Sequence, residues 1–185
     1  MTHGFDRGVL IGLLQRDALK LGQFTLASGK TSHYYVDGRL VTLSAAGAWQ
    51  VGLGVLEVLR EFPEVEAVGG LTMGADPIVG ATLALSGQAG LSLGGFLVRK
   101  EAKWHGTGRR VEGPMRAGMT VAIVDDVATT GGSSLQAVEA VQAEGGQVAV
   151  VIAMLDRLEG AEAAFEARDL PFRSLVTIRD LGVEP

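Results

Sequence analysis

Cysteine is absent from these 185 residues, which excludes disulfides, thiolate metal sites and a cysteine nucleophile. Long apolar runs are absent as well, since the longest, residues 148–155, is far too short to span a bilayer. The N-terminus has no basic segment followed by an apolar one. We therefore expect a cytoplasmic enzyme or binding protein with no membrane partner.

Positive charge is in the minority, because 16 basic residues stand against 21 acidic ones and leave a net charge of −5. This balance argues against a nucleic-acid partner. Hydrophobic residues make up 47% of the chain and charged residues 20%, which is typical of a globular protein. The length suits one sizeable core, so we predict a single domain over residues 1–185.

The stretch from residue 121 to residue 134 predicts a strand, a turn and a helix N-terminus. A β-branched run ends at Asp125 and Asp126, a short Thr/Gly/Ser loop follows, and a helical pattern begins at about Ser133. Free backbone N–H groups and the helix dipole make such a turn a seat for a phosphate. Carboxylates facing that phosphate would repel it, so we expect them to face sugar hydroxyls or a Mg²⁺ carried by a diphosphate. The alternative is an ordinary turn in which Asp and Ser act only as caps.

A second junction of this kind follows the short apolar stretch 67–71. Thr72, Met73 and Gly74 form its loop, and Asp76 and Pro77 suit the cap and first turn of a helix. Two such junctions in one chain imply a doubly wound, mainly parallel sheet. The pattern also predicts helices over 6–20 (capped by Asp6), 44–61 (capped by Ser44, with Trp49 in the core), 133–144 and 159–168, a hairpin over 24–39, and strands over 93–98, 147–155 and 172–178.

Two further features carry charge toward this predicted sheet edge. Between residues 99 and 110, five basic residues stand against one acidic residue, a local charge of about +4, and two glycines lie among them. The alternative for this segment is a solvated, charged hairpin tip. Arg157 follows the strand 147–155, at the edge where parallel sheets bind ligands. Its alternative is a surface ion pair with Asp156 or Glu159.

Four segments together resemble the orotate phosphoribosyltransferases, which are type I phosphoribosyltransferases, and the segments follow each other along the chain in the order expected for that family. Residues 125–133 resemble the signature that binds 5-phosphoribosyl 1-diphosphate (PRPP). The other three are the hood pattern Ser28-Gly29-x-x-Ser32 with a following aromatic residue and Asp37-x-Arg39, the lid pattern Arg99-Lys100-x-x-Lys103-x-His105-Gly106, and Leu155-Asp156-Arg157. The resemblance implies an α/β fold with a central, mainly parallel sheet flanked by helices. A small hood would comprise about residues 1–40 plus the C-terminal segment, and the lid loop residues 99–112.

The resemblance also implies roles for individual residues. In the family a cationic lid closes over the departing diphosphate, and the loop at 72–74 holds that diphosphate through backbone N–H groups. An arginine at the position of Arg157 receives the orotate carboxylate, which a guanidinium matches with two parallel hydrogen bonds. The catalytic candidates are Lys103, Asp125 and Asp126. The PRPP-binding candidates are Arg99, Lys100, Lys103, His105, Asp125, Asp126, Val127, Ala128, Thr129, Thr130, Gly131, Gly132 and Ser133. The orotate-binding candidates are Tyr35, Thr129 and Arg157. Mg²⁺ would be held mainly through PRPP, near Asp125.

This chain departs from some relatives at two positions, because Ala27 and Met73 stand where those relatives carry lysine. The implied activity is transfer of ribose 5-phosphate from PRPP to orotate in pyrimidine (UMP) biosynthesis, giving orotidine 5′-monophosphate and diphosphate. The implied assembly is a homodimer whose subunits share the lid. Two other functions stay open, a phosphoribosyltransferase for another base and a PRPP-sensing regulator of the same fold. Arg157 favours orotate, since a purine has no carboxylate, and the acidic chain with its lid favours an enzyme.

Overall fold

The computed structural model describes residues 4–25, 31–101 and 110–185. Within these residues the chain folds into a two-stranded sheet, a six-stranded sheet and the helices that cover them. The strands are β1 (Leu19–Thr25), β2 (Thr31–Val36), β3 (Ala67–Leu71), β4 (Gly94–Val98), β5 (Val111–Glu112), β6 (Thr120–Ala128), β7 (Gln147–Asp156) and β8 (Phe172–Thr177). The α-helices are α1 (Arg7–Leu13), α2 (Arg39–Thr42), α3 (Ala45–Leu59), α4 (Ala75–Gln88), α5 (Gly132–Ala143) and α6 (Ala161–Glu166), with a π-helical turn at Leu14–Ala18 and a 3₁₀ turn at Ile178–Leu181.

The six-stranded sheet has the order β5-β4-β3-β6-β7-β8, and all neighbours are parallel except the short edge strand β5. This arrangement confirms the predicted α/β fold with a mainly parallel sheet. Parallel strands need helical crossovers, and these crossovers cover both faces of the sheet. The carboxyl ends of β3, β4, β6 and β7 therefore meet at one edge.

Alternate residues of β6 show how the two faces are filled. Ala122 and Val124 face a core that also contains buried residues of α1, α3 and α4. Val121 and Ile123 face the opposite core, which contains buried residues of α5 and α6. Because side chains alternate along a strand, this central strand is apolar on both sides until it reaches its polar end.

The predicted hairpin forms the two-stranded sheet, although β1 begins at Leu19 rather than at Phe24. The predicted first helix is correspondingly shorter, since Leu19 pairs with Val36 and draws residues 19–21 into the sheet. Its predicted cap is confirmed, because the Asp6 side chain accepts a hydrogen bond from the Val9 N–H. Tertiary pairing has overridden the helical propensity of this segment.

Three local predictions are corrected by the structure. Helix α4 begins with Gly74 at the cap position, so Asp76 lies inside the first turn instead of capping it. Strand β6 continues past the two aspartates to Ala128, because its ladder with β7 continues that far. Trp49 is only half-buried and lines a surface groove, since α3 turns other residues toward the core.

No helix of the described ranges is long and apolar enough to cross a membrane.

Candidate active site

A cavity of about 250 Å³ lies at the carboxyl ends of β3 and β6. These strands are neighbours, but the chain leaves β3 toward β4 on one side and leaves β6 toward β7 on the other. Such a switch point is where open α/β sheets bind ligands. The cavity is lined by Tyr35, Val36, Asp37, Gly38, Arg39, Leu71, Thr72, Met73, Gly74, Lys100, Asp125, Asp126, Val127 and Ser133.

Asp125 is the buried member of the acidic pair, with only 7% of the residue exposed. Its Oδ2 accepts a hydrogen bond of 2.7 Å from the Ser134 hydroxyl, and its Oδ1 accepts one of 3.0 Å from the Asp126 N–H. Burial, followed by the nearby Asp126 carboxylate, raises the pKa of Asp125 to about 7. The carboxyl group is therefore fixed in place and can hold a proton near neutral pH.

Asp126 lies between two glycine backbones that come from different elements. A Cβ on Gly74, at the start of α4, would stand 2.4 Å from Asp126 Oδ1. A Cβ on Gly38, just before α2, would stand 3.0 Å from Asp126 Oδ2. A side chain at Gly74 would displace the carboxylate, whereas a side chain at Gly38 would crowd Met154 and Val127 as well as Asp126. The hood end, the β3–α4 loop and β6 thus converge on this one group.

The turn from β6 to α5 presents backbone donors beside the carboxylates. Gly131 has φ +79°, a left-handed conformation that glycine adopts without strain, and it occupies the cap position of α5. The first N–H groups of the helix have no intrahelical partners, and Ser133 lines the cavity. Thr129 is half-buried, whereas Thr130, Gly132 and Ser133 are exposed. Ala128 is buried, and its carbonyl accepts the Arg157 N–H.

The loop between β3 and α4 forms the opposite wall of the cavity. Thr72, Met73 and Gly74 all line it, and the peptide bond between Thr72 and Met73 is cis. Met73 is 66% exposed, so its side chain covers little of the protein. This wall offers backbone groups and no charged side chain at the loop itself.

Two of the four lid residues predicted to bind PRPP lie within the described ranges. Lys100 lines the cavity, while Arg99 extends to Glu112 with an Nε to Oε1 distance of 3.2 Å. The Arg99 N–H also donates to the Arg110 carbonyl, which joins the two ends of the basic segment. Lys103 and His105 lie outside the described residues.

The hood contributes one predicted residue and two that were not singled out. Tyr35 is 38% exposed, lines the cavity and packs against Phe24 with 5.8 Å between ring centres. Asp37 and Arg39 form a pair at 2.9 Å in the same wall, and the hydrogen bond from Arg39 lowers the pKa of Asp37. The Asp-x-Arg pattern after the hairpin was the signal that could have assigned both to the site.

Arg157 does not line this cavity. It is 6% exposed, and it lines a separate groove of about 570 Å³ between β2 and the C-terminal residues 181–185. Its guanidinium lies over the Tyr34 ring at 4.6 Å, and Nη2 lies 2.7 Å from Glu159 Oε1. The predicted alternative of an ion pair with Glu159 is thus present, although the arginine is buried rather than on the surface.

The backbone around Arg157 is constrained. Leu158 has φ +59°, a left-handed conformation that costs a non-glycine residue roughly 1–2 kcal/mol. Its N–H donates to Asp156 Oδ1 at 2.8 Å, which stabilises the turn. This turn lies between Arg157 and Glu159 and is compatible with the ion pair that joins them.

The described residues contain no group of three His, Asp or Glu side chains that could hold a metal ion. Asp125 and Asp126 nevertheless supply carboxylate oxygens, which are the donors that Mg²⁺ prefers. This donor set fits an ion whose remaining ligands come from a bound diphosphate and water.

Comparison with known proteins settles the family. No protein-family model matches the chain. It is 48% identical over 185 residues to the orotate phosphoribosyltransferase of Rhodopirellula baltica, covering 97% of this chain and 96% of that one. The chain belongs to the orotate phosphoribosyltransferase family. The orotate phosphoribosyltransferase of Thermosynechococcus vestitus is 49% identical over 176 residues, 95% of this chain and 92% of that protein.

A solved orotate phosphoribosyltransferase has the same fold. The enzyme of Mycobacterium tuberculosis in complex with PRPP superposes with a TM-score of 0.81 and 37% identity, covering 96% of this chain and 99% of that one. The predicted membership of the orotate phosphoribosyltransferase family is therefore confirmed by both sequence and fold.

Proposed function

We propose that this orotate phosphoribosyltransferase transfers ribose 5-phosphate from PRPP to orotate, giving orotidine 5′-monophosphate and diphosphate in UMP biosynthesis. The observation that carries the proposal is the juxtaposition of Asp125 and Asp126 with the α5 N-terminus in one cavity, in a chain 48% identical to an orotate phosphoribosyltransferase. We further propose that the reaction takes place in the cytoplasm.

PRPP would bind with its three parts on three elements. The 5′-phosphate would lie on the turn 129–133, where backbone N–H groups and the helix dipole attract an anion. Asp125 and Asp126 would accept hydrogen bonds from the ribose hydroxyls, which are neutral donors. The diphosphate would extend toward the loop 72–74 and Lys100, on the opposite wall of the cavity.

Orotate would bind at the hood side of the cavity. Tyr35 supplies an aromatic surface there, and Thr129 directly follows the end of β6. Arg157, which lines the neighbouring groove and is paired with Glu159, would supply the two-donor edge that matches a carboxylate. The C-terminal residues 181–185 border the groove beneath the hairpin, which supports a hood built from both ends of a single domain.

The reaction breaks the bond between the ribose anomeric carbon and the diphosphate oxygen and forms a bond from that carbon to orotate N1. Positive charge develops on the ribose and negative charge on the leaving diphosphate, so positioning and charge stabilisation supply most of the catalysis. Arg99, Lys100, Lys103 and His105 would stabilise the leaving group. Exclusion of water by this segment would protect the reactive ribosyl cation.

Mg²⁺ would accompany PRPP and neutralise part of its diphosphate charge. Asp125 lines the cavity and would accept hydrogen bonds from the ion's coordinated waters or ligate the ion directly. The protein would then contribute orientation while the diphosphate contributes most of the ligands.

A homodimer with a shared lid is the proposed assembly. Leu40, Leu43 and Met73, which we name the apolar patch, are 47%, 72% and 66% exposed beside the cavity. Asp76 borders the same surface, and its buried Oδ1 has no hydrogen-bond partner among the described residues. A second subunit on the apolar patch would cover these side chains and bring its basic segment toward this cavity.

Product analysis tests the proposed reaction. Incubation with orotate, PRPP and Mg²⁺ is expected to yield orotidine 5′-monophosphate and diphosphate in equal amounts. Consumption of PRPP with a different base would support the proposed PRPP site but rule out orotate as the substrate. PRPP binding without any product would indicate a PRPP-sensing regulator.

A further inference from the structure

Arg157, Tyr34 and Glu159 form a closed set of contacts that we name the arginine latch. Arg157 Nε donates to the Tyr34 hydroxyl at 3.2 Å, and Nη2 pairs with Glu159 Oε1 at 2.7 Å. The Tyr34 hydroxyl in turn donates to the same Glu159 oxygen at 3.1 Å. Each of the three residues therefore contacts the other two.

The arginine latch occupies donors that a carboxylate ligand would need. Two of the three guanidinium nitrogens are engaged, and among the residues that the structure describes only Nη1 lacks an acceptor. A bidentate contact with a carboxylate uses two adjacent N–H groups of one edge. Glu159 also neutralises the positive charge that would attract an anionic ligand.

The position of the arginine latch also keeps Arg157 from a carboxylate ligand in the cavity. Tyr35 lines the cavity with Asp125 and Asp126, whereas Tyr34 and Arg157 line the separate groove beneath the hairpin. Arg157 is therefore held away from the base side of the cavity. A ligand in that cavity reaches the Arg157 guanidinium only when it replaces a present partner of that guanidinium.

Glu159 is the exchangeable member of the three. Its side chain is 30% exposed, whereas the side chain of Arg157 is 7% exposed and is also held by the Tyr34 ring. A partly exposed carboxylate regains hydration when it leaves its partner, but a buried guanidinium left alone is costly. One carboxylate can thus replace another at Arg157 without leaving the buried charge unpaired.

We propose that Glu159 is a specificity-determining residue, a resident counter-ion that the carboxylate of the pyrimidine substrate displaces from Arg157. Bases without a carboxylate cannot make this exchange and leave the arginine latch closed. The inference rests on the proposed function, because it takes orotate as the substrate.

The test compares Glu159→Gln with Glu162→Gln, a matched charge loss at an exposed position of α6. Glutamine holds Arg157 less strongly, so Glu159→Gln should lower the KM for orotate roughly three- to tenfold, with kcat and the KM for PRPP within about twofold. The KM for orotate of Glu162→Gln should equal that of the wild type. Inhibition by uracil, which has no carboxylate, should be the same in all three proteins.

A double-mutant cycle locates the effect on Arg157. In an Arg157→Ala background, Glu159→Gln should leave the KM for orotate unchanged. An unchanged or raised KM for orotate in the single Glu159→Gln variant, or an equal gain for uracil, overturns the inference while the wild type still turns over orotate. Failure of the wild type to turn over orotate overturns the proposed function itself.

Discussion

At the scale of single residues, Asp125 combines burial with a proposed role in binding the ribose hydroxyls. Its two oxygens are held by Ser134 and by the Asp126 backbone, so its geometry is set before any ligand binds. Burial raises its pKa to about 7, and the protein loses stability whenever the group must be charged. Fixed orientation at the site is obtained at the expense of folding free energy.

Asp125→Asn should remove a pH dependence of stability. Because the folded-state pKa lies above the ordinary value of 3.8, the native state binds more protons than the unfolded chain between about pH 4 and pH 7. The contribution of Asp125 to the free energy of unfolding therefore falls as pH rises through this window, by roughly 4 kcal/mol in total. Denaturant unfolding at several pH values should show a flatter profile for Asp125→Asn.

Asp169→Asn serves as the control for that measurement. Asp169 is exposed and has φ +53°, which asparagine also tolerates, so its pH profile should match the wild type. Equal slopes in Asp125→Asn and the wild type would contradict the raised pKa.

At the scale of elements, the site depends on two loops that approach Asp126 of β6 closely because each has a glycine there, Gly38 in one loop and Gly74 in the other. Gly74→Ala should shift the Asp126 carboxylate, because the added Cβ would stand 2.4 Å from Oδ1. The backbone of Gly74 is helical and accepts alanine, so stability should change by less than about 1 kcal/mol. The KM for PRPP should rise roughly tenfold or more, since small displacements of positioning groups are costly.

Gly80→Ala gives the comparison within the same helix. A Cβ at Gly80 meets no atom within 4 Å, so alanine should raise the free energy of unfolding by roughly 0.5–1 kcal/mol and leave the kinetics unchanged. A KM for PRPP in Gly74→Ala equal to that in Gly80→Ala would remove Asp126 from the proposed site.

The basic segment is the element with the largest proposed catalytic effect. Lys103→Ala should lower kcat roughly 100-fold or more, because a cation that stabilises the leaving diphosphate acts mainly in the transition state. The free energy of unfolding should stay within about 1 kcal/mol of the wild-type value. Arg116→Ala, an exposed charge loss elsewhere, should leave kcat unchanged, and a similar kcat in both variants would refute the role of Lys103.

Prediction from the sequence succeeded where the signal is local. The β6 strand, its Thr/Gly/Ser turn and α5 follow from apolar alternation and turn residues, and the turn and the two carboxylates lie together as expected. The end of β6 at Ala128 could not be predicted, because its pairing with Asp156 of β7 decides it. The start of β1 at Leu19 likewise depends on Val36, a partner 17 residues away.

The site was predictable as separate motifs but not as an arrangement. That β3 and β6 are neighbours, and hence that Gly74 touches Asp126, follows from long-range sheet order rather than from spacing. The direction of the Arg157 side chain was also beyond prediction. Its contacts with Tyr34 join residues 123 positions apart, and no local pattern encodes such a pair.

At the scale of the whole molecule, charge and apolar surface are distributed unevenly. The chain carries a net charge of −5, yet five of its 16 basic residues lie between residues 99 and 110, and one of these five, Lys100, lines the cavity. Such an asymmetry attracts an anionic substrate to one place on an acidic protein. The apolar patch lies on the same side, since Met73 belongs to both surfaces.

Leu43→Glu should convert the proposed dimer into a monomer, because a charge in the apolar patch would be buried without a partner. Sedimentation equilibrium would report the change in mass, and activity should fall with it if the lid is shared. Leu91→Glu is the matched control, since Leu91 is 56% exposed and lies outside the apolar patch. A dimeric Leu43→Glu variant, or a monomeric wild type, would rule out this interface.

The proposed reaction joins ribose 5-phosphate to orotate and to no other base. It is measured by the ultraviolet absorbance of orotate after the protein is added to orotate, PRPP and Mg²⁺, with adenine, guanine and uracil assayed in parallel. We expect a PRPP-dependent fall in absorbance with orotate and no turnover of the other three. Turnover of a base without a carboxylate, or no turnover of orotate, would contradict it.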